Sequence, residues 1–73
     1  MEIVEALERR DELLKQIQDS IKEEEAAISK YLRRAHYACG HPSIEKMYDH
    51  IREEEEHHRK ELQDASKKIR SWP

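Results

Sequence analysis

Apolar residues recur along the chain at alternating intervals of four and three. From Ile3 the steps run through Leu7, Arg10, Leu14, Ile17, Ile21, Glu24, Ile28, Tyr31, Ala35 and Ala38. From Ile44 they run through Tyr48, Ile51, Glu55, His58, Leu62, Ala65 and Ile69. That period marks a seam along which one α-helix packs on another. Between the stripes stand Gly40, the one glycine, and Pro42, the one internal proline. Glycine is favoured just past a helix end and proline in the first turn of the next helix. Cys39-Gly40-His41-Pro42 therefore predicts a turn over 39–42. The expected fold is all-α: an antiparallel two-helix hairpin, helix one about 2–38 and helix two about 43–70, in one domain spanning 1–73.

Fifteen of the nineteen seam positions are apolar, counting Tyr and Ala, so the four exceptions need reasons. Arg10 has a long apolar stem that can carry its charge to water. Glu24 lies sixteen residues before Gly40, while Glu55 and His58 lie fifteen and eighteen after it. Folding about the turn brings these three to one level. A buried, unpaired carboxylate costs several kcal/mol and is normally paired, protonated or bound to metal. No Lys or Arg occupies the stripe near this level, so a cation from solution fits best. Glu55-x-x-His58 puts a carboxylate and an imidazole on one helical face, about 5–6 Å apart at Cβ. Glu24 adds a third ligand from the facing helix. Mixed carboxylate and imidazole ligation suits iron and manganese, and also admits zinc. Tyr31, on the same seam, has two equal expectations: core packing, or a hydrogen bond to a ligand carboxylate.

Composition narrows the setting. A chain of 73 residues, 42% charged and 36% hydrophobic, is too small for a self-sufficient core. Its single cysteine rules out an internal disulfide and a Cys-only zinc site. Metal, partner chains or both remain as sources of stability. With 14 Lys+Arg against 17 Asp+Glu, a net charge of −3, there is no basic field for nucleic acid or an anionic membrane. No apolar run is long enough for a membrane span and no leader pattern opens the chain, so a cytoplasmic location is expected. Glu23-Glu24-Glu25 and Glu53-Glu54-Glu55-Glu56 flank the seam's polar level. Like charges so close oppose folding unless cations compensate. One hairpin leaves part of its stripe bare, and two related by a two-fold axis would close a four-helix bundle. Each ligand would then appear twice, giving the four Glu and two His of a ferritin-like dinuclear carboxylate site.

Two motifs resemble that family directly. Glu24-Glu25-Ala26-Ala27-Ile28-Ser29-Lys30-Tyr31 resembles the first-helix pattern E-x-x-A-x-x-x-Y, and Glu55-Glu56-His57-His58, with Leu62 four further on, resembles the second-helix E-x-x-H. With two helices in place of four, the chain most resembles the encapsulated ferritins, relatives of the rubrerythrins. The resemblance implies Glu24, Glu55 and His58 as iron ligands and as the catalytic set, with Tyr31 close by; His50 also matches a histidine of that family. It implies two irons per dimer, a homodimer or larger homo-oligomer, ferroxidase activity for iron storage or detoxification, and packaging in an encapsulin-type shell.

Two other readings of the same residues stand beside this one. The polar level can be a register-setting layer in a non-enzymatic helical assembly module, or a manganese- or zinc-binding bundle without turnover. His57, off the seam and paired in sequence with Glu54, is expected to face outward. His36, His41 and His50 are expected at the surface or turn, and Cys39 at the turn.

Overall fold

A computed structural model describes residues 3–72, with side chains from Glu8 onward. Glu2, the expected start of the first helix, and the side chains of the seam residues Ile3 and Leu7 lie outside the described residues. Two helices form, α1 at Ile3–Tyr37 and α2 at Pro42–Arg70. They lie side by side as an antiparallel hairpin 59 Å long and 14 × 13 Å across. The first helix stops one residue earlier than expected and the second starts one earlier, with Pro42 in its first turn. Neither helix is long and apolar enough to cross a membrane.

The reversal follows from the backbone. The Ala38 amide still bonds back to the Arg34 carbonyl at 3.0 Å, and the His41 amide reaches the Ala38 carbonyl at 2.9 Å. Between them Gly40 takes φ +93°, a left-handed conformation that costs a side-chain-bearing residue about 1–2 kcal/mol. At the N-cap of α2, the His41 carbonyl accepts from the Ile44 and Glu45 amides, while its side chain makes no capping bond. At the other end Lys67, Lys68 and Arg70 oppose the negative pole of the helix.

The seam forms as the period requires. Ala35, Ala38 and Ile69 are buried, and Leu14, Ile17, Ile21, Ile28, Tyr31, Tyr48, Ile51, Leu62 and Ala65 are half-buried. Ile44 departs from the pattern at 44% exposed. Off the stripe, Ser66 is buried to 5% exposure. Among the described residues no large side chain is wholly buried. Two helices alone therefore leave most of the described seam side chains only half-covered. Arg10 does more than reach water. Its Nη1 donates to the Trp72 carbonyl at 3.3 Å, tying the N-terminal half of α1 to the end of α2. Nearer the turn, Tyr31 and Tyr48 stack across the seam with ring centroids 6.1 Å apart.

Candidate metal centre

The hairpin brings Glu24, Glu55 and His58 together. Helical spacing sets Glu55 and His58 one turn apart on the inner face of α2, and the register fixed by the turn lays Glu24 opposite them. One donor atom from each lies within 4.8 Å of the other two. His58 Nδ1 stands 3.7 Å from Glu55 Oε2 and 3.9 Å from Glu24 Oε2. Ligands on opposite sides of one ion, each about 2.1 Å from it, are separated by roughly 4.2 Å. The three donors thus already have the spacing of a shared cation.

The electrostatics point the same way. Both carboxylates are 23% exposed, whereas His58 is 50% exposed and forms the open lip of the cluster. Glu24 Oε2 is buried without a hydrogen-bond partner among the described residues. The Glu24 pKa is raised, chiefly because a proton can be shared with the Glu55 carboxyl. Burial and the Glu55 charge push the same way, Glu23 adds to them, and the His58 imidazole opposes. Two carboxylates face each other at the edge of an apolar seam, and the His58 imidazole beside them balances their charge only when it is protonated. The orphaned Glu24 oxygen and the mixed O,O,N donor set both suit a divalent ion.

The other residues named from sequence fall around this level. Tyr31, seven residues from Glu24, stacks on Tyr48 and has Lys30 Nζ 4.7 Å from its ring centroid. His57 faces outward as expected, but the partners differ from the sequence pairing. His57 Nε2 meets Glu61 at 3.0 Å and His50 Nε2 meets Glu54 at 2.8 Å, both one turn apart on the exposed face. Cys39 is exposed at the turn. Arg52 was not singled out from sequence. It is half-buried beside the cluster, its Nη1 2.8 Å from Glu56 and its Nε 3.8 Å from Asp49. The four-residue spacing of Arg52 and Glu56 is the signal that could have found it. This guanidinium pairs within its own helix, and its Nε has no hydrogen-bond partner among the described residues.

In comparisons with known proteins, no family model, no curated protein and no solved structure matched the chain. The chemistry of the site therefore rests on its own residues. Three convergent donors with one half-exposed side can hold a divalent metal while leaving room for a further ligand.

Proposed function

We propose that the chain is a ferritin-like, ferroxidase-type iron protein in which two hairpins associate and build a di-iron carboxylate site between them. One observation supports this above the rest: Glu24, Glu55 and His58 meet at one level of an otherwise apolar seam, with a buried Glu24 oxygen lacking a partner. The half-open seam supports the dimer. Burial is what stabilises a helix pair, and here it stays incomplete along most of the seam. A second copy laid against the open flank would finish the core as a four-helix bundle and double the ligand set to four Glu and two His.

Fe(II) is then the substrate. Glu24, Glu55 and His58 of each chain bind it, and their negative charge favours the ferric over the ferrous state. Two ferrous ions supply two electrons, which with two protons reduce O₂ to hydrogen peroxide. The chain's part is placement and charge; the redox chemistry belongs to iron. Manganese or zinc would meet the same donors without that turnover. Adding Fe(II) anaerobically and then air tests the proposal. Ferric absorbance should rise in the parent and be lost in Glu55→Ala. Unchanged oxidation in Glu24→Ala, Glu55→Ala and His58→Ala would overturn it.

One observation favours a second reading. His58 is half-exposed, as a residue of a register-setting polar layer at a helix interface can be. On that reading the three alanine variants oligomerise and melt like the parent, with or without iron.

A further inference from the structure

A second feature lies further along the hairpin, away from the turn. A groove of about 380 Å³ opens between the helices, lined by Gln18, Ile21, Gln63, Ser66, Lys67 and Arg70. Its polar residues can all donate hydrogen bonds: two side-chain amides and a hydroxyl, which can also accept, and an ammonium and a guanidinium, which only donate. No carboxylate lines it. Ser66 belongs to its floor, buried to 5% exposure although it lies off the apolar stripe.

The plainer role for these cations is to oppose the dipole of α2, whose last turn holds Lys67, Lys68 and Arg70. That role needs only charge near the helix end. It does not require Lys67 and Arg70 to share one groove with two amides and a buried serine, while Lys68, in the same turn, does not line it.

We propose that this groove binds a phosphate-class oxyanion. Lys67 and Arg70 would supply charge-assisted bonds, the Arg70 fork offering two parallel donors. Gln18, Gln63 and Ser66 would supply neutral donors. The same chemistry serves free phosphate and the phosphoryl group of a small metabolite. The site is separate from the carboxylate cluster, and its proposal does not rest on the iron reading.

Full-length, metal-free protein is titrated with inorganic phosphate and with glycerol phosphate, and followed by the amide resonances of Gln18, Gln63, Ser66 and their neighbours. Saturable shifts centred on these residues are expected. Saturation by both anions assigns the groove to a phosphoryl group, and saturation by phosphate alone assigns it to the free ion. The double variant Lys67→Gln, Arg70→Gln should weaken binding by about tenfold or more, while Lys68→Gln should leave it within about twofold. Circular dichroism of the variants checks that the helices persist. Shifts that never saturate, or an equal loss in Lys68→Gln, would overturn the proposal by reducing it to diffuse charge at a helix end. Absence of shifts in the groove, including when a second copy covers it, would overturn it as well.

Discussion

Glu24 is the residue on which the site's energetics turn. Its pKa is raised in the folded chain by the shared proton with Glu55, by burial and by the Glu55 charge. A carboxyl raised on folding is best tolerated when protonated. Its penalty is absent below the unfolded pKa and grows as pH rises through the folded one. In metal-free protein, Glu24→Gln should therefore melt higher than the parent at pH 7, and the difference should vanish below about pH 4. Saturating metal should reverse the order, because the parent gains a ligand bond that glutamine makes poorly. Thermal unfolding with chelator and with metal, at both pH values, measures all of this; identical curves throughout would contradict it. The cluster of Glu24, Glu55 and His58 could be read from sequence because each breaks an apolar stripe at a computable distance from Gly40. The Arg52–Glu56 pair left only its four-residue spacing as a signal, and such charged pairs are common on helices.

Each helix ends by a device that can be tested separately. Gly40 holds φ +93° with nothing within 4 Å of where a Cβ would stand. Gly40→Ala should then cost only backbone strain, about 1 kcal/mol, without a packing penalty. Chemical denaturation measures it, and an unchanged midpoint would mean that the turn relaxes elsewhere. At the start of α2, His41 occupies the N-cap without a side-chain bond. His41→Asp should stabilise by about 0.5–1 kcal/mol, by capping an open amide and by opposing the helix dipole. Stability equal to or below the parent would contradict it. Among the described residues, the turn, the end of α1 and both ends of α2 fall within a residue of their expected places. The sequence reading went wrong at Ile44, exposed although its spacing is right, because periodicity records a face and not how fully a neighbour covers it. It also missed that Arg10, a break in the stripe, clasps the Trp72 carbonyl, a contact across 62 residues that no local pattern encodes.

The whole molecule is a thin rod, 59 Å by 14 by 13 Å, whose described seam is half-covered along most of its length. Its length and its hairpin path follow from helix propensity and one glycine. What should cover the open flank does not follow, since a seam specifies an apolar neighbour and not its identity. The proposed answer is a second copy, which would satisfy the seam and the paired carboxylates together. Stability should then be concentration-dependent. The melting temperature of metal-free protein should rise with chain concentration, and more steeply once metal is added. A melting temperature independent of concentration under both conditions would point to a self-sufficient monomer.

The most direct test is native mass spectrometry of protein loaded with Fe(II) under anaerobic conditions. The account predicts a dimer, or a larger even-numbered assembly, carrying one iron per chain, with both the iron and the association weakened in Glu55→Ala. Iron-free chains, or an assembly whose mass and stoichiometry are the same in the parent and Glu55→Ala, would contradict it.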